Sequence, residues 1–246
     1  MKLLFSALLL VTALFSKEIV AQYKVSYGFF GKIGVADARL ERNETNYSIE
    51  IVAKATGFAK VLSGSRVERY TSEGKVVDGK LVPLRFVKSR SRRNKRTDKF
   101  FEFDHAAKRV YVYKKYYKNG KFIKKTKPSV LPFYAKDDLL TLYFNIKDEL
   151  PKRRGALQFH AVGGDRKTGA VDIVIPDEKK REELKRLLKT DGFYIIAIIH
   201  QKIFASKNGE LFIAMDKDGI AKKALLKDVI MFGDVVGTLV KKRVSE

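Results

Sequence analysis

Asp-Gly and Asn-Gly dipeptides recur along the chain and separate short runs that are rich in Val, Ile, Tyr and Phe. The clearest pairs are Asp78-Gly79, Asn119-Gly120, Asp191-Gly192, Asn208-Gly209 and Asp218-Gly219. Such pairs tolerate the positive φ of tight hairpin turns, and the runs between them have the composition of strands. The pattern therefore predicts a mainly β protein, built as a large curled antiparallel sheet or an incompletely closed β-barrel.

Two segments break the strand pattern and predict helices. Residues 136–150 carry Leu139, Leu142, Tyr143 and Ile146 at helical spacing and stop at Pro151, so we expect one helix packed on the sheet. Residues 177–190 are highly charged around an apolar stripe. The stripe consists of Leu184, Leu187 and Leu188 and predicts one short surface helix. No Gly/Ser linker divides residues 22–246, which we interpret as a single antiparallel β domain.

The start of the chain has the features of a signal peptide. Met1-Lys2 provides a positive charge, and residues 3–15 form an uncharged apolar run that is short for a membrane span. Cleavage near Ala21 is favoured over Ser16, which makes residues 1–21 a signal peptide and predicts a periplasmic protein. Cysteine is absent, which excludes disulfides and a lipid-bearing Cys. No later apolar run is long enough for a transmembrane span in the mature chain.

Several segments together resemble an uncharacterised family of exported bacterial envelope proteins, the domain of unknown function 3108 family. They are YKVSYGFFGKIGVADARL, YSIEIVAKATGF, RYTSEGKVVDGKLVPLRF, FEFDHAAKRV, DLLTLYFNI and the closing ELFIAMDKDGIAKKALLKDVIMFGDVVGTL. The resemblance implies a curled antiparallel sheet in the periplasm and a role in the envelope. It implies no catalytic residues and no particular ligand.

Positive charge is concentrated in the middle of the chain. The formal net charge is +23, and 17 Lys and Arg between Arg85 and Lys127 face only three acidic residues. The predicted anion-binding residues, on two hairpins, are Arg90, Arg92, Arg93, Lys95, Arg96, Lys114, Lys115, Lys118, Lys121, Lys124 and Lys125. Such a cluster suits phosphate groups. Because we expect export, the predicted partner is an anionic lipid or lipopolysaccharide surface, or an envelope protein, and not nucleic acid. The alternative is a merely solvated strand face.

Chemistry-bearing motifs are sparse. His105, His160 and His200 lack metal-ligand spacing, and we predict no catalytic residue, metal or cofactor. Asn43 and Asn46 both lie in N-x-[ST] sequons with an acid two residues earlier, which resembles a bacterial glycosylation signal, although a simple polar hairpin turn is the favoured interpretation.

Two classes of function remain open. The first is a non-enzymatic envelope protein that binds an apolar or phosphate-bearing component. The second is a glycan- or lipid-acting hydrolase or transferase, in which Asp104, Asp137 and Asp138 would converge in space without a sequence signature.

Overall fold

The computed structural model describes residues 16–199, 209–229 and 233–245. Strands dominate, which confirms the predicted fold class. The strands are β1 (Lys17–Tyr27), β2 (Lys32–Arg42), β3 (Asn46–Ala55), β4 (Val67–Val77), β5 (Lys80–Arg92), β6 (Lys95–Asp104), β7 (Arg109–Lys118), β8 (Lys121–Lys125), β9 (Ser129–Val130), β10 (Asp137–Asp138), β11 (Gly155–Val162), β12 (Ala170–Ile175), β13 (Phe193–Ile199), β14 (Glu210–Met215), β15 (Ala221–Val229) and β16 (Gly233–Ser245). The helices are α1 (Gly57–Leu62), α2 (Leu139–Ile146) and α3 (Glu178–Leu188), with short 3-10 helices at Gly28–Phe30 and Leu150–Lys152.

All strands belong to one unclosed sheet. Its order is β10-β11-β12-β13-β14-β15-β16-β1-β2-β3-β4-β5-β6-β7-β8, and β9 pairs with β7. Most neighbours are consecutive antiparallel strands, as the turn dipeptides predict. The prediction of a wholly antiparallel sheet is wrong at one place, because β10 runs parallel to β11. The chain crosses between them through α2, which makes a parallel pairing possible.

The first and last strands pair with each other. β1 begins at Lys17 and is sandwiched between β2 and β16. Ile19 and Ala21 are buried there and join a core cluster with Leu40 and Tyr47. The strand thus begins five residues before the expected start of the mature domain.

The turns between antiparallel neighbours fall at two ends of the sheet. At one end, which we call the basic end, lie residues 28–31, 56–66, 93–94, 119–120 and 163–169. At the other, the α2 end, lie residues 43–45, 78–79, 105–108 and 216–220. At Asp78-Gly79 and Asn119-Gly120 all four residues have positive φ, which explains the dipeptides chosen there.

Helix α2 lies inside the curled sheet and contacts both of its halves. Leu142 and Ile146 are buried against β11 to β14, with Leu139 and Tyr143 packed beside them, which confirms the predicted apolar face. A second face, which the spacing did not reveal, places Leu140 and Phe144 against the core of β1, β2 and β3. The helix is shorter than predicted: residues 137–138 form β10, and Asp138 is its N-cap.

A buried hydrogen-bond network joins α2 to the sheet. The Asp138 carboxylate accepts hydrogen bonds from the backbone N–H groups of Leu140 and Thr141. Its Oδ2 also accepts a hydrogen bond from the Ser72 hydroxyl, at 2.6 Å. Because Ser72 donates to the carboxylate, Tyr47 OH donates to Ser72 at 2.9 Å. Burial raises the pKa of Asp138 to about 6, although hydrogen bonds from Ser72, Thr141 and Leu140 oppose that rise.

Helix α3 lies on the outer surface of β13, β14 and β15. Leu184 and Leu188 are fully buried against Tyr194, Ile196 and Phe212. The predicted surface helix is confirmed, but Leu187 does not share the buried stripe and is 37% exposed. With α2 on one side and α3 on the other, β13 is covered on both faces.

Replacing Leu142 with Ala should lower the free energy of unfolding by about 2–5 kcal/mol, since the cavity would lie between α2 and the sheet. Leu187→Ala is the matched control, and its exposed side chain should cost less than about 1 kcal/mol. Urea denaturation of the two variants measures both values. Equal costs would contradict the placement of α2 in the core.

The difference in stability between the wild type and Asp138→Asn should depend on pH. A carboxyl with a raised folded-state pKa stabilises the fold most below its unfolded value of 3.8, and that contribution is lost as the pH rises through about 6. Relative to the variant, the wild type should lose roughly 3 kcal/mol between these values. Urea unfolding of both proteins across this range tests it, and a constant difference would show that Asp138 is not perturbed.

Candidate anion-binding surface at the basic end

Three turns at the basic end are joined into one rim by hydrogen bonds. The backbone N–H of Arg93 donates to Gly64 O at 2.7 Å, which ties the β5–β6 turn to the segment after α1. The N–H of Asn119 donates to Asn94 O at 2.8 Å, and the Asn94 side-chain amide donates to Asn119 Oδ1 at 2.9 Å. The predicted basic hairpins are therefore neighbours on a connected surface.

Four cations are aligned across this rim. Arg92 pairs with Lys95, Lys95 with Lys118, and Lys118 with Lys121, in four adjacent strands. We call them the rim row. All four are exposed, and none has an ion-pair partner within the described residues. Like charges directly opposite each other destabilise a sheet, so this alignment has a cost that nothing inside the described fold offsets.

The other predicted basic residues mostly have partners on the protein itself. Arg96 lies 4.0 Å from the centre of the Tyr117 ring and 3.2 Å from Asp98. Lys115, Lys124 and Lys125 lie over aromatic rings at 4.9, 5.4 and 4.2 Å. Because strand residues alternate between faces, Lys114 and Lys115 point to opposite sides of β7. The predicted cluster is thus divided between two faces, and Arg92, Lys95, Lys118 and Lys121 are its members best placed for an external anion.

A buried carboxylate organises the cations beside the rim. Glu68 is 6% exposed and pairs with Arg66 and with Arg90, the latter at 3.0 Å. Burial favours a higher pKa, but the hydrogen bond from Tyr70 and the two guanidinium groups hold the pKa of Glu68 below its ordinary value. A cavity of about 230 Å³ opens beside the pair. Its lining residues are Ser63, Arg66, Arg90 and Arg92. Three arginines line this cavity, and the Glu68 carboxylate pairs with two of them, so the cavity carries a net positive charge.

Helix α1 adds an apolar surface next to the rim. None of its residues is buried, and Phe58, Val61 and Leu62 are 67%, 77% and 67% exposed. Exposed apolar groups clustered in this way usually mark a contact with a partner or a membrane. Sequence reasoning missed α1, since six residues are too few for helical periodicity to be visible.

The residues considered for catalysis do not converge. Asp138 caps α2, Asp137 accepts a hydrogen bond from Asn145 at 2.7 Å, and Asp104 accepts the N–H of Ala107 in the β6–β7 turn. Each carboxylate therefore has its own structural role.

Among the described histidines, His105 lies near Asp137, where its charge opposes the rise in pKa that burial causes, but it forms no hydrogen bond with that carboxylate. His105 forms hydrogen bonds with the Tyr134 hydroxyl and with the carbonyl oxygen of Pro83. Because a carbonyl only accepts, Nε2 of His105 donates to Pro83. His160 is exposed, and His200 lies outside the described residues. Within the described ranges, no group of three His, Asp or Glu side chains could hold a metal ion.

The two sequons lie at the α2 end, in the β2–β3 turn. Asn43 Oδ1 accepts the backbone N–H groups of Thr45 and Asn46, and the Asn46 amide donates to Thr45 Oγ1. These contacts explain both asparagines as turn residues. Glycosylation of Asn43 or Asn46 stays a prediction.

A larger concavity of about 500 Å³ also lies at the α2 end. Phe193, Met215 and Leu239 contribute apolar surface, and Asp191, Asp216, Lys217 and Lys222 surround them. Met215 is only 2% exposed, and the surrounding charges are of both signs. This concavity is therefore poorly suited to a phosphate-bearing ligand, in contrast to the basic end.

Comparison with known proteins gives a family but no activity. The sequence model of a family described as "Protein of unknown function (DUF3108)" matches residues 22–146, which confirms the resemblance seen in the motifs. The match ends with the last residue of α2, so the closing segment 210–239 lies outside it. No curated protein matches the chain.

A solved structure is similar to this chain over most of the length of both proteins. It is the "Beta-barrel-like Protein of Domain of Unknown Function DUF1849 from Brucella abortus", with 12% identity, 95% of this chain and 99% of that chain covered, and a TM-score of 0.48. Separately, none of the helices in the described part of the chain is both long and apolar enough to cross a membrane.

Proposed function

The chain belongs to the DUF3108 family of proteins of unknown function, and we propose that it is an exported, non-enzymatic envelope protein that docks on a phosphate-bearing lipid surface. The observation that carries this proposal is the rim row of Arg92, Lys95, Lys118 and Lys121 beside the exposed apolar residues of α1. Phospholipid headgroups and lipopolysaccharide share the required phosphate chemistry.

The rim row supplies the electrostatic part of the docking. Each Lys or Arg near an anionic leaflet contributes on the order of 1 kcal/mol, as long as it lies within a Debye length of the surface. Four aligned cations meet this condition together, because the hydrogen-bonded turns hold their strands in one rim. An anionic surface would also relieve the repulsion between the paired cations.

Helix α1 supplies the apolar part. Phe58, Val61 and Leu62 are adjacent to the cationic rim, which is the combination found in segments that lie at a membrane interface. Inserting these side chains into the headgroup boundary would remove apolar area from water at about 25 cal/mol per Å². The apolar part does not weaken with salt, whereas the electrostatic part does.

Export is the premise for proposing a lipid partner and not nucleic acid. The bounds of β1 bear on where the signal peptide would be cut. A cut after Ala21 would remove the first five residues of β1, including buried Ile19 and Ala21. A cut after Ser16 leaves β1 whole, from Lys17 onward. We therefore favour Ser16 as the last residue of the signal peptide and a periplasmic location for the mature protein.

Reversal of the rim row should abolish docking. We expect the wild type to sediment with phosphatidylglycerol vesicles at low salt, and the variant Arg92→Glu, Lys95→Glu, Lys118→Glu, Lys121→Glu to bind at least about tenfold more weakly. The matched control reverses four exposed cations elsewhere, Lys152, Arg153, Lys179 and Arg186, with the same change in net charge. Parallel sedimentation with lipopolysaccharide distinguishes the two phosphate sources.

The control variant shows whether vesicle binding depends on the rim row itself or only on the net charge of the protein. Equal loss of binding in the two quadruple variants, or no binding by the wild type, would contradict the proposal. In the wild type, raising the salt from about 0.05 to about 0.5 M should remove most of the binding. The remainder should fall further in Phe58→Ser, Leu62→Ser, because those side chains provide the apolar contact.

N-terminal sequencing of the protein purified from its native host should find Lys17 as the first residue. The physical reason is that Lys17 is the first residue of β1, so cleavage there removes the apolar run without cutting the sheet. A start at Gln22 would refute cleavage after Ser16. Met1 retained on the folded protein would refute export.

A further inference from the structure

A second row of aligned cations lies deeper in the sheet, on its inner face. Lys88 of β5 pairs with Lys99 of β6, and Lys99 pairs with Lys114 of β7. We call these three residues the inner row. Lys88 lies two residues from Phe86, and Lys99 lies two residues from Phe101. Both phenylalanines are buried in the core, so the lysine side chains share the inner face with that core. The row leads from the interior toward solvent, because Lys88 and Lys99 are partly buried and Lys114 is exposed.

The β11–β12 turn faces this row from the other edge of the sheet. Lys88 Nζ lies only 3.0 Å from the point that a Cβ on Gly163 would occupy, so the lysine reaches the turn. Arg166 belongs to the same turn, and its charge acts on Lys99. A fourth cation therefore lies near a row that already contains three.

No carboxylate of the described residues forms an ion pair with this group, although the charges of Asp138 and Glu68 act on Lys88 from a greater distance. Neither the inner row nor Arg166 forms an ion pair there. Glu68 is engaged by Arg66 and Arg90, and Asp138 by Ser72 and the N-terminus of α2. What the lysines do contact is aromatic: Lys88 Nζ is 5.4 Å from the centre of the Phe86 ring, and Lys99 Nζ is 4.7 Å from that of Phe101.

Burial and mutual repulsion perturb the lysines themselves. Burial, followed by the charge of Lys99, lowers the pKa of Lys88 to about 8, although the charges of Asp138 and Glu68 oppose that fall. Burial, followed by the charges of Lys114 and Arg166, lowers the pKa of Lys99 as well. The protein thus holds mutually repelling ammonium groups in a place where apolar side chains would pack at lower cost.

We propose that Lys88, Lys99, Lys114 and Arg166 form a binding site for a single phosphate or carboxylate group between the inner row and the β11–β12 turn. Neighbouring strands are roughly 4.8 Å apart, so adjacent ammonium groups can donate to one oxyanion. The aromatic floor suits an anion that carries an apolar substituent. This site is distinct from the rim row, and a ligand would occupy it inside the sheet.

Thermal unfolding in phosphate and in chloride at equal ionic strength tests the site. Inorganic phosphate at ten times its dissociation constant should raise the melting temperature of the wild type by about 3–6 °C over chloride. Lys99→Met should lose this rise and yet be at least as stable as the wild type in chloride, since the substitution relieves repulsion. Lys24→Met, an exposed lysine on β1, is the control with the same charge change and should keep the full rise.

A second variant and two further ligands complete the thermal-unfolding experiment and identify the chemical class of the anion. Arg166→Gln alters an exposed turn residue that the fold does not need, and it should also reduce the phosphate-dependent rise. If hexyl phosphate raises the melting temperature more than inorganic phosphate does, the site takes a lipid-type ligand. If the two raise it equally, the site takes a free anion. Hexanoate tests whether a carboxylate group can replace the phosphate group. An equal rise in the wild type, Lys99→Met and Lys24→Met, or none in any of them, would overturn the proposal. Because these probes are soluble, a failure of vesicle docking leaves the test unaffected.

Discussion

The buried carboxylate of Asp138 is the interaction on which the arrangement of this protein depends. It caps α2 and accepts a hydrogen bond from Ser72 of β4, whose oxygen in turn accepts from Tyr47 of β3. Without a carboxylate at this point, the N-terminus of the helix would have no polar link to Ser72, and its first N–H groups would be buried without partners. Asn145 makes the matching connection at the other end of α2, where its side chain bonds both backbone groups of Leu81.

Because α2 fills the interior toward one end, the two ends of the sheet become chemically different. Toward the α2 end, apolar side chains from both halves of the sheet meet on the helix. Toward the basic end, the inner face of β4 to β7 carries Glu68, Arg90, Lys88 and Lys99 instead of aliphatic residues. The stability supplied by the packed half therefore supports a half in which charge is concentrated, a division typical of a binding protein built on a rigid scaffold.

Sequence patterns predicted the individual strands, turns and helices better than they predicted which side chains come together in the fold. The turn dipeptides located hairpins, and the spacing of Leu139, Leu142, Tyr143 and Ile146 identified a buried helix face, because both signals are local. The neutralisation of Arg90 by Glu68 and the alignment of Lys88, Lys99 and Lys114 depend on strand register across different hairpins. A one-residue change of register would move every one of these side chains to the other face, so composition alone could not distinguish a binding face from a solvated one.

The charges in neighbouring rows of the same strands support the proposal that the basic end binds anions. The row that contains Arg90 continues with Thr97 and Tyr116, and its guanidinium group is paired with Glu68. From β5 onward the rows on either side consist of cations, Lys88 to Lys114 below and Arg92 to Lys121 above, and the β4 partner of Lys88 is the neutral Tyr70. A sheet that can place a carboxylate or a neutral residue in one row can do so in the next. Since like charges in register weaken strand pairing, the two unpaired rows that flank the paired one support the proposed binding of external anions.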